Sequence, residues 1–81
     1  MKSEPKYKLG ELVIIRILKI TMEVIITKRI VKGDYDKGEY EFLYDFKHTA
    51  DIKDAWNWTD VDEESLHKMI HQAERYEKEV G

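Results

Sequence analysis

Two apolar runs in the first half of the chain predict β-strands that are buried on both faces. Residues 12–20, LVIIRILKI, are β-branched or aliphatic except for Arg16 and Lys19. Residues 22–31, MEVIITKRIV, repeat the pattern, with charges more frequent toward the far end. Strands that are apolar on both faces are typical of a closed or two-layered sheet. Residues 17–21 fit either a continuing strand or a connecting loop.

A β-hairpin is predicted next. Residues 32–39, KGDYDKGE, carry the glycines and aspartates of a turn between two strands. The second arm, EYEFLYDFK, alternates strictly, so that one face is wholly aromatic. The residues on that face are Tyr40, Phe42, Tyr44 and Phe46.

The last third of the chain predicts a loop, a short strand and an amphipathic helix. Residues 47–55 have no period, and Trp56 and Trp58 then share one side of an extended segment. Thr59 or Asp60 is in position to cap a helix over residues 60–79. Its apolar stripe either docks on the sheet or pairs with the helix of a second copy. The stripe consists of Leu66, Met69, Ile70, Ala73 and Tyr76.

These elements predict one mainly β (α+β) domain over residues 1–81. Residues 1–7 are expected to be a flexible lead-in, and residues 60–79 the C-terminal helix. Residues 8–59 are expected to form a small SH3-like antiparallel barrel of about four to five strands, with a reduced OB-fold as the alternative.

Composition narrows the function classes. The chain of 81 residues has no cysteine, which excludes a disulfide scaffold and a thiol nucleophile. It shows neither a membrane-spanning apolar run nor the apolar segment of a signal peptide, so a soluble, intracellular protein is expected. The net charge of −3 divides into +4 over residues 1–37 and −7 over residues 38–81. That balance does not favour a strong nucleic-acid binder.

No motif predicts catalysis, and neither a cofactor nor a metal is expected. The chain has no Gly-x-Ser-x-Gly motif and no phosphate-binding glycine loop. His67 and His71 stand four apart on the predicted helix, but without an HExxH motif. The interpretation is therefore a protein that is not an enzyme.

Aromatic residues are the candidate binding groups. Rings at a barrel mouth hold cations or stack against bases and peptide side chains. A small barrel also needs large inward residues, so most of the rings are expected in the core. Tyr7, Tyr40 and Trp56, nearest the strand ends, are expected to be exposed.

Four segments resemble chromo-barrel and Tudor-like domains. PKYKLGELV, at residues 5–13, is similar to their aromatic lead-in and first strand, and MEVIITKR to their second strand. GEYEFLYDF is similar to the third strand, and WNWTDVDEESL to the closing segment. The resemblance implies an SH3-like barrel, common among small bacterial and phage proteins, and nuclear location for a true chromo-barrel reader. It also implies an aromatic cage for methylated lysine or arginine in which Tyr44 and Trp58 match, although the family's Gly-Trp step is replaced by DFKHTADIKD.

The leading hypothesis is a binding module for a protein or peptide. Its contacts are expected at the aromatic rim and the adjoining loops, 32–39 and 47–55, without a membrane, and with the protein a monomer or a helix-mediated homodimer. The candidate binding residues are Tyr7, Tyr40, Tyr44, Trp56 and Trp58. The alternatives are a small phage-type inhibitor or regulator, and a nucleic-acid-binding barrel. The basic residues of the nucleic-acid alternative are Lys6, Lys8, Arg16, Lys28, Arg29 and Lys32.

Overall fold

A computed structural model of the chain describes residues 4–50 and 56–80. It contains four β-strands followed by one α-helix. The mainly β composition with a C-terminal helix is thus confirmed. The elements are β1 (Leu12–Ile17), β2 (Ile20–Asp34), β3 (Glu39–His48), β4 (Asn57–Asp62) and α1 (Glu63–Val80).

The four strands form one antiparallel sheet in the order β1-β2-β3-β4. Each strand pairs with its neighbour in sequence, and no pairing joins β1 to β4 within the described residues. The sheet is therefore open at both edges. Its closure into a barrel is not confirmed and stays a prediction.

Two β-bulges decide which side chains face the core. In β2 the register shifts between Ile26 and Lys28. Arg29 therefore pairs with Tyr44 and lies on the core face, which an unbroken alternation would have assigned to Lys28. In β4 the shift falls opposite Asp45, whose carboxylate accepts a hydrogen bond from the backbone N–H of Asp60 at 2.9 Å. Asp60 has a φ of 54°, a left-handed conformation that Asp tolerates better than most residues.

The core lies between one face of the sheet and the helix. Helix α1 packs mainly against β1, because its apolar stripe meets the inward residues of the strands. Tyr44 and Phe46 are the largest fully buried side chains. The smaller fully buried members are Ile15, Val24, Ile26 and Leu66.

Helix α1 begins three residues later than the sequence predicts. Asp62 is the N-cap, since its carboxylate accepts a hydrogen bond from the backbone N–H of Ser65 at 3.0 Å. Thr59 and Asp60, the predicted caps, belong to β4. Within the described residues, no helix is long and apolar enough to cross a lipid bilayer.

The β2–β3 hairpin forms an arm, which we define as residues 27–42. Its turn closes with a hydrogen bond from the Gly38 N–H to the Tyr35 carbonyl at 3.1 Å, and Gly38 takes the left-handed conformation that such a turn requires. From Lys32 to Glu39 every residue is exposed. The arm therefore presents side chains that the helix does not cover.

Candidate functional site

The predicted aromatic set is divided into two clusters. At the tip of the arm, the ring of Tyr40 lies 4.8 Å from that of Tyr35 and 5.6 Å from that of Phe42. At the other end of β3, Phe46 stacks on Trp58 at 5.2 Å. Six residues of extended strand separate Tyr40 from Phe46, which corresponds to roughly 20 Å. The set therefore does not form a single cage.

Tyr7 and Tyr44 lie between the two clusters and are buried. Tyr7 was expected to be exposed, but only 9% of it is, because its ring packs edge-on against that of Tyr44 at 5.4 Å. Tyr44 is fully buried. Neither ring is accessible to a ligand in this conformation, so both act as core residues.

The hydroxyl of Tyr44 joins the sheet to the start of the helix. It donates a hydrogen bond of 2.6 Å to the Glu63 carboxylate and accepts a long one of 3.4 Å from the Tyr7 N–H. The same Glu63 oxygen accepts a hydrogen bond from the Lys6 backbone N–H at 3.0 Å. Burial, together with the hydrogen bond to Glu63, raises the pKa of Tyr44. Burial also raises the pKa of Tyr7.

The second cluster is partly accessible at the open edge of the sheet. Trp56 is 44% exposed, and its ring lies 6.3 Å from that of half-buried Trp58. Phe46, beneath Trp58, is part of the core. Residues 51–55 of the loop that was expected to contribute here lie outside the described residues.

The basic residues of the nucleic-acid alternative do not gather on one surface. Lys28 lies opposite Asp45, and Lys32 lies opposite Glu41, so each has an acidic cross-strand neighbour. Arg29 lies on the opposite face of the sheet from these lysines, paired with Tyr44.

The other three basic residues of the nucleic-acid alternative lie outside the arm. The guanidinium of Arg16 lies 3.5 Å from the centroid of the Tyr76 ring, a cation–π contact with the helix. Lys6 and Lys8 belong to the segment that leads into β1. A continuous basic surface for a phosphate backbone is not formed by these six side chains.

The arm carries a partly exposed apolar surface, which we call the aromatic shelf. Its members are Val31, Tyr35, Tyr40 and Phe42. Val31 pairs directly with Phe42, so the two share a face. Val31 is 48% exposed and Tyr35 is 68% exposed. Tyr40, which was expected to be exposed, is half-buried, and half-buried Phe42 packs against the core. The shelf thus continues the core face of the sheet toward the exposed hairpin turn.

Gly33 allows the shelf to form. It pairs with Tyr40 and has a φ of 118°. A Cβ at this position would lie 2.8 Å from the Tyr40 Cα and would overlap the Glu39 carbonyl oxygen. Only glycine therefore permits the close approach of the strands beneath the Tyr40 ring.

A groove of about 430 Å³ runs between the shelf and the start of the helix. Tyr40 and Phe42 form one wall, and Lys6 and His67 contribute from the other sides. The acidic residues of the groove are Glu4, Glu41, Asp62, Glu63 and Glu64. A larger depression of about 640 Å³ lies around Leu43 and Met69, but no aromatic side chain lines it. The smaller groove is the better candidate site because it combines rings with charge.

The histidine pair does not make a metal centre. The rings of His67 and His71 lie parallel with centroids 6.3 Å apart, and His71 approaches Glu74 at 3.7 Å. Within the part of the chain that the structure describes, no three His, Asp or Glu side chains are arranged to hold a metal ion.

The sequence singled out Tyr40 and the loop 32–39, but not Tyr35 itself or the acidic side chains of the groove. Tyr35 lies in the turn, where no strand period applies to it. Glu4, Glu41 and Glu63 come from three separate segments, and their approach follows from tertiary packing rather than from spacing. The only available signal was the acidic excess of residues 38–81.

Comparison of the chain with protein-family models, with curated proteins and with solved structures gives no match. The resemblance to chromo-barrel and Tudor-like domains therefore stays a prediction. The site's own geometry is the basis for assigning a function.

Proposed function

We propose that the protein is a non-enzymatic binding module that takes a peptide segment of a partner protein on its aromatic shelf. The observation that carries this proposal is the ladder of contacting rings, exposed Tyr35 followed by half-buried Tyr40 and Phe42, beside the groove at the start of α1. Aromatic rings supply large contact area at a low cost in conformational entropy, and they are enriched at protein interfaces. The proposal requires only the open sheet and the helix, not a closed barrel.

The position of the shelf supports binding rather than internal packing. Exposed apolar area costs roughly 25 cal/mol per Å², so contiguous exposed apolar side chains beside a groove favour a binding surface. Here Val31 and Tyr35 stay about half or more exposed although the helix begins close by. A peptide that covers them regains that free energy.

Selection from a random phage-displayed peptide library tests the proposal. Peptides enriched on the wild-type protein are expected to lose at least tenfold in affinity on Tyr40→Ala, since a buried aromatic anchor at an interface contributes roughly 2 kcal/mol or more. Tyr35→Ala, at a more exposed position, is expected to have a smaller effect in the same direction. Circular dichroism melts establish that each variant is folded.

Trp56→Ala is the matched control. It removes an exposed aromatic side chain from the second cluster, at the far end of β3. Affinity for the selected peptides is expected to stay within about twofold of the wild type. Loss of binding on Trp56→Ala with retention on Tyr40→Ala would move the site to the second cluster and refute the proposal.

A further inference from the structure

We infer that the occupant of the aromatic shelf is a cationic segment, in which a lysine or arginine lies next to an apolar residue. The inference rests on the proposed function, because it names the chemistry of the peptide that the shelf takes. It is carried by the charges that surround the shelf.

Acidic side chains outnumber basic ones in the groove. Five carboxylates line it against one lysine and one histidine. The N-terminus of α1 contributes a partial positive charge of only about one half. The side chains that line the groove beside Tyr40 and Phe42 therefore carry a net negative charge.

Three of the five carboxylates already have partners. Glu63 accepts hydrogen bonds from the Tyr44 hydroxyl and the Lys6 N–H, and Asp62 caps the helix. Glu64 lies 3.5 Å from Lys68. Glu4 makes no ion pair within the described residues, and Glu41 makes none there either, although Lys32 lies opposite it across the strands. These two carboxylates are consequently the candidates to meet a ligand's charge.

The site has an exposed apolar part and an acidic part, which fit the apolar residue and the charged residue of such a segment. Val31 and Tyr35 offer exposed apolar area for an aliphatic or aromatic side chain. The rings of Tyr40 and Phe42, next to the carboxylates, suit the long apolar stem and charged head of lysine or arginine. A nucleic acid or an acidic peptide would instead place its charges beside Glu4 and Glu41, which costs affinity.

The test uses the peptides that the random library yields on the wild-type protein. They are expected to be enriched in lysine and arginine. Affinity for the best peptide is expected to fall by about 2-fold to 30-fold in the double variant Glu4→Gln/Glu41→Gln, as two exposed ion pairs are lost. It is also expected to fall as NaCl rises from about 50 mM to about 500 mM, because salt screens exposed charges.

Glu77→Gln/Glu79→Gln is the matched control, since it removes the same charge from an exposed part of α1 that does not line the groove. An equal loss in the control would reduce the effect to general electrostatics and overturn the inference. Neutral or acidic peptides that bind wild type and are lost on Tyr40→Ala would overturn it while leaving the proposed function intact. If no peptide is enriched, or if Tyr40→Ala has no effect, the proposed function fails and the inference falls with it.

Discussion

Tyr44 is the residue through which three separate segments of the chain are joined. Its hydroxyl contacts Glu63 at the start of α1 and the backbone of Tyr7, while the Glu63 oxygen also accepts from Lys6. The sequence predicted most of the aromatic rings to be in the core but also named Tyr44 as a candidate binding residue, whereas its ring is fully buried. It did not predict the polar contact, because Lys6 and Glu63 are 57 positions apart and nothing local couples them.

Replacement of Tyr44 by Phe is expected to lower the free energy of unfolding by about 1.5–3 kcal/mol, since a buried hydrogen bond to a carboxylate is lost. The raised pKa of Tyr44 also implies a pH dependence. The folded state retains the phenol proton more tightly than the unfolded chain, so this contribution is present below a pH of about 10 and is lost as pH rises further. Urea titrations across the alkaline range are expected to show a smaller decline for Tyr44→Phe than for the wild type.

The control is Tyr35→Phe, which removes a phenol hydroxyl from an exposed ring. Its stability is expected to stay within about 0.5 kcal/mol of the wild type. Equal stability of Tyr44→Phe and wild type, with the same alkaline decline, would contradict the role of the hydroxyl.

Gly33→Ala tests the close approach of strands beneath Tyr40. The added methyl group would meet the backbone of Glu39 and Tyr40, so the variant is expected to lose both stability and peptide affinity. Gly38 also has a positive φ, but a Cβ added at this position would meet no other atom within 4 Å. In thermal melts converted to free energies, Gly33→Ala is expected to cost about 1–3 kcal/mol more than Gly38→Ala. Equal losses of stability in the two variants would show that the contact of the added Cβ with Glu39 and Tyr40 does not destabilise the hairpin.

At the scale of elements, the β1–β2 turn places two consecutive residues other than glycine in the left-handed region. Leu18 and Lys19 both have positive φ, at 49° and 69°, as a two-residue hairpin turn requires. Asn-Gly is the preferred sequence for this turn. Because it is absent here, the sequence did not decide whether residues 17–21 continue the strand or form a loop.

Leu18→Asn/Lys19→Gly is expected to raise the free energy of unfolding by about 1–2 kcal/mol, because left-handed strain at two ordinary residues is relieved. For a domain of this size each kcal/mol corresponds to roughly 4–8 °C in Tm. Leu18→Ala, which keeps the strain and removes only an exposed side chain, is expected to leave Tm unchanged. A lower Tm for the double variant would contradict the assigned turn geometry.

The N-cap of α1 gives a second prediction for an element. Asp62→Ala is expected to destabilise the protein by about 0.5–2 kcal/mol, whereas Asp62→Asn retains a capping oxygen. Hydrogen bonds from the Ser65 hydroxyl and N–H lower the pKa of Asp62. The charge of Asp62 therefore stabilises the fold above a pH of about 4, and this contribution is lost as pH falls. Chemical denaturation from neutral to acid pH is expected to show this loss in the wild type and not in Asp62→Asn.

The β2–β3 hairpin and the aromatic face of β3 followed from the sequence, because local alternation and turn residues specify them. The bulges did not. The one in β4 depends on Asp45, which accepts from Asp60 across the sheet, and it extends β4 into the predicted start of the helix. The bulge in β2 brings Arg29 and Val31 onto the core face. An unbroken alternation after Ile26 would have placed Lys28 and Ile30 there instead.

At the scale of the whole molecule, the arm makes the protein elongated. The radius of gyration is 13.7 Å, whereas about 12 Å is typical of a compact chain of this length. One helix covers only part of one sheet face, and the shelf lies on the uncovered part. The apolar pattern predicted strands that are buried on both faces. Within the described residues, helix α1 packs against one face of the sheet.

The most direct test of the account is an NMR titration of ¹⁵N-labelled protein with the best peptide from the library. The largest amide shift changes are expected on the arm, residues 27–42, and on the first turns of α1. Saturating peptide is also expected to leave the amides of Trp56 and Trp58 nearly unchanged. Largest changes at those tryptophans, or on the strand face opposite the helix, would contradict the claim that the aromatic shelf is the binding site.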